Sequence, residues 1–279
     1  MWAAAAPREL TPVQAMRVTE TEGPVDLRGH TLVVPGIGGL ALLGELAVDA
    51  LVTTFKLSRA AIVHSRHLLP VAMASAWEAP GAGEGGALAL TTAAELYQSA
   101  ALAPHLSVLQ LRAPVVEGRR RALAEELLAW AAAQGVAEVL VVASCSSHVK
   151  VDADLAAGTE LRYVRVPCGG PEAAADAGLG QDVLPLGHDL PEELGGGGGG
   201  SGAAAARRLL RGSGLARSML LLAAEAEADG PTDAAQHPPG VLCLLGLTSE
   251  ILDWRLLEQL SRAACARLAE RPLGGAAAL

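Results

Sequence analysis

The clearest pattern in the chain is a β-branched apolar run that leads through a cluster of glycines into helical periodicity. Residues 31–34 predict a short buried strand, because an apolar run that stops at a proline is typical of a strand end. Residues 42–55 predict an amphipathic helix with Glu45 and Asp49 on its polar face. The apolar stripe of this helix contains Leu42, Leu46, Ala47, Ala50 and Leu51. A strand that leads through glycines into a helix opens an α/β domain.

Strand and helix patterns alternate along the rest of the chain. Strands are predicted at residues 60–64, 94–97, 106–111, 139–143, 161–166 and 241–245, and helices at residues 119–134 and 215–228, with a final helix that ends near residue 268. The strand at residues 60–64 follows the first strand at a spacing that suits a strand–helix–strand crossover. The strands at residues 94–97 and 106–111, with a turn around Pro104, predict an inserted hairpin. The sequence therefore predicts a three-layer α/β sandwich with a mostly parallel central sheet.

The domain organisation follows from composition. Residues 1–28 contain prolines and mixed charge with little periodicity, and they predict a poorly ordered lead-in. Residues 29–279 predict a single α/β domain, interrupted at residues 171–206. That segment contains six acidic residues, no lysine or arginine, and six consecutive glycines. Such a composition cannot bury enough apolar surface to offset its ordering entropy, so we predict a disordered acidic, glycine-rich insertion.

Charge and cysteine placement exclude several classes of function. The net charge is −9, of which the insertion carries −6, and no basic face is predicted for binding nucleic acid. No apolar run reaches the roughly 18–20 residues that span a bilayer, so we expect no membrane partner. The four cysteines are scattered without metal-ligand spacing, which favours reduced thiols over a metal site. We therefore expect a protein of the cytoplasm and nucleus.

The glycine turn at residues 36–41 fits the pattern G-x-G-x-x-A between a strand and a helix. An NADP-dependent oxidoreductase would hold a pyrophosphate at Gly36 and Gly38 and a 2′-phosphate at Arg66, which follows the second strand. Glu45 lies early in the helix and would oppose a bound phosphate. The alternative interpretation is structural: glycines allow a tight turn to pack closely on the sheet.

A second polar group, residues 144–148 with the sequence SCSSH, ends the most apolar predicted strand. Ligands in open α/β sheets bind at this edge, and Cys145 or Ser146 with His148 has the side chains of a nucleophile and its base. No G-x-S-x-G motif surrounds the group. The alternative interpretation is a polar end on a buried strand.

The order of five segments resembles a known family. The segments are residues 32–73, with LVVPGIGGLALLGELAVDALVTTFK, residues 94–116, residues 127–148, with LLAWAAAQGVAEVLVVASCSSH, residues 161–167, and the glycine turn that opens the helix at Leu215. This succession is similar to the proteasome assembly chaperone 2 family. The resemblance implies an α/β fold with no catalysis and no cofactor. It also implies a heterodimer with proteasome assembly chaperone 1 that binds α-type subunits of the 20S proteasome and promotes α-ring formation.

If the resemblance holds, the partner surface needs exposed apolar positions on a helix. One candidate is the helix at residues 42–55, with Leu42 and Leu46 as contacts. The other is the final helix, capped by Ser249 or Asp253, with Trp254 and Leu257 as contacts. The predicted apolar stripe of the final helix contains Ile251, Trp254, Leu257 and Leu260. The sequence leaves the choice between the two helices open.

Overall fold

A computed structural model describes residues 16–21, 24–74, 90–99, 103–150, 158–166, 183–185, 210, 212–228 and 239–269. The strands of the described residues are β1 Arg17–Glu20, β2 Thr31–Pro35, β3 Ser58–His64, β4 Ala72–Ala74, β5 Leu90–Thr92, β6 Ala94–Ser99, β7 Ala103–Leu111, β8 Glu138–Ser146, β9 Leu161–Val166, β10 Leu184–Pro185 and β11 Gly240–Thr248. The α-helices are α1 Leu43–Thr54, α2 Arg120–Ala133, α3 Leu215–Ala228 and α4 Trp254–Ala269. Two short 3-10 turns are Leu40–Leu42 and Ser147–Val149.

The described strands form a nine-stranded sheet in the order β1-β3-β6-β7-β2-β8-β11-β9-β10, and β4 and β5 pair separately. The four central strands β7, β2, β8 and β11 are parallel to one another. β1, β3 and β6 join one side through antiparallel pairs, and β9 joins the other side in the same way. Parallel strands need both faces covered, which explains why β2, β8 and β11 are mostly apolar along their length.

Two helices cover each face of the sheet. α1 packs against α4 on one face, and α2 packs against α3 on the other. Each face has its own apolar core: Leu51 and Leu260 belong to the first, and Leu127 and Leu220 to the second. The predicted three-layer α/β sandwich is confirmed.

The predicted hairpin is the antiparallel pair β6–β7. Pro104 lies inside β7 rather than in the turn, and the turn itself lies outside the described residues. β3 runs in the same direction as β2, as the predicted crossover requires. However, the hairpin stands between the two strands in the sheet. The crossover therefore skips two strands.

The prediction of a poorly ordered lead-in over residues 1–28 is wrong where the structure describes it. Residues 17–20 form β1, which pairs antiparallel with β3. Met16 and Leu27 are buried in the core on the α2–α3 face. This segment has few apolar residues, but its backbone hydrogen bonds to β3 order it at the edge of the sheet. Local periodicity does not indicate such a contact.

The predicted insertion at residues 171–206 is also wrong in one short part. Leu184–Pro185 forms β10, which pairs parallel with β9, and Val183 beside it is buried. The rest of the predicted insertion, with its glycine run, lies outside the described residues.

The predicted apolar stripes of the first and last helices need correction. In α1 the buried side is formed by Leu43, Ala47, Val48, Leu51 and Val52, whereas Leu42 is exposed and Leu46 and Ala50 are half-buried. In α4 the buried side is formed by Leu256, Leu260, Ala263 and Ala264. Asp253 caps α4 as predicted, because its Oδ1 accepts from the backbone N–H groups of Arg255 and Leu256 at 2.9 and 3.2 Å.

Candidate partner surface on helices α1 and α4

The two helices that the sequence offered as alternatives form one surface. Leu43 of α1 and Leu256 of α4 both pack over Gly246 of β11, where an added Cβ would lie 2.5 Å from Leu43 Cδ2 and 3.3 Å from Leu256 Cδ2. The glycine thus leaves room for both leucines on the sheet. At the far end of α4, Arg267 Nη2 donates to both carboxylate oxygens of the buried Glu138 of β8, at 2.9 and 3.0 Å. Both ends of α4 are therefore fixed to the sheet.

A groove of about 490 Å³ lies between the outer sides of these helices. Its lining comprises Ala50, Thr54, Trp254, Leu257, Glu258, Ser261, Arg262 and Cys265. Small and apolar side chains from both helices line the groove. One ion pair, Glu258–Arg262, also belongs to its lining and lies within α4. We call this groove and the exposed side chains next to it the α1–α4 surface.

Of the four residues predicted for a partner interface, Trp254 and Leu257 line the groove of the α1–α4 surface, whereas Leu42 and Leu46 lie at the start of α1, outside its lining. Leu42 is 60% exposed and Trp254 is 70% exposed, while Leu46 and Leu257 are half-buried. Ile251, a member of the predicted apolar stripe of the final helix, is 77% exposed just before α4. Large apolar side chains at such exposure are individually common, but an exposed tryptophan beside Leu257 in one groove favours a docking surface. Their contact with a partner stays a prediction.

Other parts of the protein occupy the space next to the glycine turn after β2. A Cβ on Gly36 would overlap the Cβ of Ala143 in β8. The turn before α3 packs on the other side, where a Cβ on Gly214 would overlap the Ile37 carbonyl oxygen and Leu215 N donates to that oxygen at 3.0 Å. The glycines are thus needed for backbone-to-backbone packing, in agreement with the structural interpretation.

The predicted dinucleotide arrangement is wrong in its geometry. Arg66 is exposed after β3, and two whole strands, β6 and β7, separate β3 from β2 and its turn with Gly36 and Gly38. In a dinucleotide-binding fold the residue that reads the ribose lies on a strand next to the glycine turn. Glu45 adds a second obstacle, because its carboxylate already accepts from the backbone N–H of Gly38, which a bound phosphate would need.

The polar group at the end of β8 does not form a nucleophile–base pair. Burial raises the pKa of the Cys145 thiol to about 11, and the Ser144 hydroxyl donates to the Leu40 carbonyl at 2.8 Å. Ser146 Oγ accepts from the backbone N–H of His148 at 3.3 Å, whereas the His148 side chain is exposed. These contacts cap a 3-10 turn, as the polar-end interpretation predicted.

Sequence reasoning missed a network of charges on the α1–α4 face. Asp49, predicted on the polar face of α1, forms an ion pair with Arg112 at 2.8 Å and accepts from Gln110. Glu95 is 1% exposed and pairs with Arg59 at 2.9 Å. Polar residues alternate with apolar residues in β6 and β7, and this alternation was a signal of the network. Where both faces of a strand are covered, its polar side chains are buried and need polar partners.

Two classes of site are absent from the described part of the chain. No cluster of three or more histidine, cysteine, aspartate or glutamate side chains is arranged there to hold a metal ion. Among the same residues, no helix combines the length and apolar character needed to cross a membrane.

Comparison with known families identifies the fold. The family model described as the PAC2 family matches residues 33–265. The chain belongs to the PAC2 family. The match begins within β2 and ends within α4, so it includes both helices of the α1–α4 surface. The resemblance stated from the sequence is confirmed.

Several curated members of the PAC2 family are similar in sequence. Proteasome assembly chaperone 2 of Danio rerio is 28% identical over 152 residues, which is 54% of this chain and 56% of the relative. The Nematostella vectensis protein of that name is 32% identical over 147 residues, 52% of this chain and 57% of the relative. The Homo sapiens protein of that name is 29% identical over 146 residues, 52% and 53%. The chain thus spans about half the length of the curated relatives it matches.

Solved structures share the fold over most of the chain. PbaA of Pyrococcus furiosus, an archaeal homolog of proteasome-assembly chaperone, has a TM-score of 0.54 at 13% identity and covers 91% of this chain and 86% of its own. PbaB of the same organism, an archaeal proteasome activator, has a TM-score of 0.56 at 15% identity, with 91% and 89% covered. At such identities the likeness concerns the fold alone.

Proposed function

We propose that this protein is a proteasome assembly chaperone. The PAC2 family match over residues 33–265, with relatives named Proteasome assembly chaperone 2, carries the proposal. In the finer form of the proposal, the protein forms a heterodimer with proteasome assembly chaperone 1. The heterodimer binds α-type subunits of the 20S proteasome and promotes α-ring formation in the cytoplasm and nucleus, without catalysis.

The α1–α4 surface is the proposed contact with the partner chaperone. Trp254 supports this choice, because a large aromatic side chain left 70% exposed at a groove is the kind of anchor that dominates binding energy. The half-buried Leu257 lines the same groove, and Leu42 and Leu46 offer further apolar side chains at the start of α1.

Affinity purification from the native cells tests the role. The tagged protein should yield a stoichiometric second α/β chaperone together with 20S α-type subunits, identified by mass spectrometry. Purification without either would contradict the proposal.

The variant Trp254→Asp tests the surface. Because Trp254 is exposed at the first position of α4, aspartate there costs little stability and even suits the helix N-terminus. We expect at least about a 30-fold loss of affinity for the partner chaperone, since aromatic anchors contribute about 2 kcal/mol or more. Ala129→Asp is the matched control, because Ala129 is exposed on α2 on the opposite face of the sheet. Equal binding by wild type and Trp254→Asp would exclude this part of the surface.

A further inference from the structure

A chain of polar side chains ties the segment before β2 to the sheet. This segment, residues 24–30, lies directly before β2, and we call it the 24–30 loop. Gln98 Nε2 of β6 donates to the backbone carbonyl of Asp26 at 2.9 Å and to Ser107 Oγ of β7 at 2.8 Å. Ser107 Oγ also lies 2.8 Å from Nδ1 of His30, at the end of the loop. The loop and two strands therefore meet at one hydroxyl, and Ser107 is fully buried.

The direction of each hydrogen bond in this chain is fixed. The Asp26 carbonyl can only accept, so the amide nitrogen of Gln98 faces it, and the second hydrogen of that nitrogen goes to Ser107 Oγ. The Ser107 hydroxyl has one hydrogen to donate, and its only other partner among the described residues is His30 Nδ1. Nδ1 therefore accepts, and the neutral ring carries its hydrogen on Nε2. A protonated ring has a hydrogen on both nitrogens and cannot accept this bond.

The charged groups around His30 favour its neutral form. The ring of His105 in β7 is nearly perpendicular to the His30 ring, with 6.0 Å between the ring centroids, so two protonated rings would repel each other. Burial and His105 together hold the pKa of His30 below its ordinary value of 6.5. The Asp26 carboxylate acts in the opposite direction, but it is exposed and already paired with Arg28 at 3.2 Å.

The other described elements next to His30 bring no charge to it. The last turn of α2, residues 130–133, has no charged side chain. Glu138 at the start of β8 binds Arg267 of α4, on the opposite face of the sheet. On β6 the neighbour is the uncharged Gln98. Protonation of His30 is therefore opposed by burial and by His105, and only an exposed, paired carboxylate favours it.

The 24–30 loop has two further contacts that report on whether it is closed. Gly29 N donates to the Gly135 carbonyl at 2.8 Å, and Ala137 N donates to the His30 carbonyl at 3.0 Å. A cleft of about 670 Å³ lies between the loop and the C-terminal end of α2, so water already reaches one side of the loop. Movement of the loop away from the sheet breaks both backbone hydrogen bonds.

We propose that His30 is a pH-sensitive latch for the 24–30 loop. While the ring is neutral, it accepts from Ser107 and holds the loop on β6 and β7. When the ring takes up a proton in mildly acidic solution, the bond to Ser107 is lost and protonated His105 repels the ring. The loop then leaves the sheet while the central strands stay folded. This inference does not depend on the proteasome role.

Hydrogen exchange of the full chain, followed by NMR at pH 7.5 and pH 5.5 and corrected for intrinsic rates, tests the latch. Because the pKa of His30 is lowered in the closed state, its stabilisation is complete above pH 6.5 and is lost as pH falls through the lowered value. Protection of the Gly29 and Ala137 amides should fall about 3- to 10-fold, since an open loop with an ordinary histidine is about 10:1 protonated at pH 5.5. At both pH values it should stay at least about 10-fold below that of Val141 in β8, which marks a local opening.

The variant His30→Asn separates the latch from a general effect of acid. Its amide oxygen accepts from Ser107 in place of Nδ1 but does not titrate, so protection of Gly29 and Ala137 should change less than about 2-fold between the two pH values. His148→Asn is the matched control, because His148 is exposed at the end of β8, and it should keep the wild-type response. His105→Asn removes the repelling charge and should show a smaller loss than the wild type.

Several outcomes would overturn the latch. These are a wild type whose Gly29 and Ala137 protection does not change with pH, a His30→Asn variant that keeps the full loss, and a His148→Asn variant that abolishes it. Protection equal to that of Val141 would mean that the loop opens only with the whole sheet, and it would also overturn the proposal. If His30→Asn does not fold, the exposed substitution His105→Asn decides, because a loss equal to that of the wild type contradicts the latch.

Discussion

Glu95 shows how one buried charge is kept ionised in this fold. Its carboxylate accepts from Thr91 Oγ1 at 2.6 Å, from the Tyr97 hydroxyl at 2.7 Å and from Arg59 at 2.9 Å. Burial alone would raise the pKa of Glu95, but these hydrogen bonds together lower it below its ordinary value. The carboxylate thereby joins β3 and β6 of the large sheet to β5 of the separate β4–β5 pair.

Glu95→Gln should therefore destabilise the protein by about 2 kcal/mol at pH 7, because several donors lose a charged acceptor. The sign of the pH dependence follows from the lowered pKa: the contribution is present above the ordinary glutamate value near 4.5 and is lost as pH falls through the folded value. Urea unfolding at pH 7 and pH 4 should show a smaller gap between variant and wild type at the lower pH. Glu125→Gln, an exposed control, should change stability by less than about 0.5 kcal/mol. A gap that does not change with pH would contradict an ionised Glu95.

The polar residues of β6 and β7 signalled that polar groups lie inside, but the sequence could not predict their partners, since the sheet and not spacing along the chain brings them together. Arg59 lies 36 residues before Glu95. By contrast, the structural interpretation of the turn at Gly36 needed only local chemistry, a strand end followed by glycines, and it agrees with the observed packing. Residue-scale prediction succeeded where the cause is local.

At the scale of elements, the helix bounds were predictable and the helix faces were not. Ala41 and Leu42 adopt left-handed backbone conformations, with φ of 56° and 53°. α1 therefore begins at Leu43, and Leu42 turns outward instead of joining the apolar stripe. In α4 the Asp253 cap sets the start, which leaves Ile251 before the helix and Trp254 at its exposed first position. Apolar periodicity places a helix to within a residue or so, but a shift of one residue at its start rotates the positions at that end by about 100° and changes which of them are buried.

Gly44 tests how closely α1 approaches the sheet. Alanine is the better helix former by roughly 0.8–1.0 kcal/mol, so propensity alone predicts that Gly44→Ala stabilises the protein. An added Cβ would overlap the Val142 carbonyl oxygen of β8, which is backbone and cannot turn away. We expect a net loss of about 1–3 kcal/mol in the free energy of unfolding, measured by denaturant titration. Thr54→Ala, at an exposed position of the same helix, should instead gain a few tenths of a kcal/mol. Stabilisation by Gly44→Ala would show that α1 lies farther from β8.

For the whole molecule, the fold class was predictable and the strand order was not. The alternation of strands and helices along the chain indicates a mostly parallel sheet. A strand that is apolar on both faces, such as β8, indicates that helices cover both sides of it. The order of strands depends instead on which edges meet, and the β6–β7 hairpin enters the sheet between β2 and β3. That placement separates Arg66 from the glycine turn. The turn fits a dinucleotide fingerprint locally, but the strand order keeps it away from the residue that would bind the 2′-phosphate.

The edge strand β1 gives a whole-molecule test of this architecture. It pairs with β3 from Arg17↔His64 to Glu20↔Ala61 and brings the buried Met16 into the core. A chain that lacks residues 1–21 should lose about 2–4 kcal/mol in its free energy of unfolding. The deletion exposes the apolar side chains that Met16 covers and the backbone groups of β3 that pair with β1. Hydrogen exchange should then accelerate at those β3 amides that face β1. A chain that lacks only residues 1–15 is the matched control and should behave as wild type. Equal stability and exchange in both truncations would mean that β1 contributes nothing to the sheet, and the core would then have to close at β3 alone.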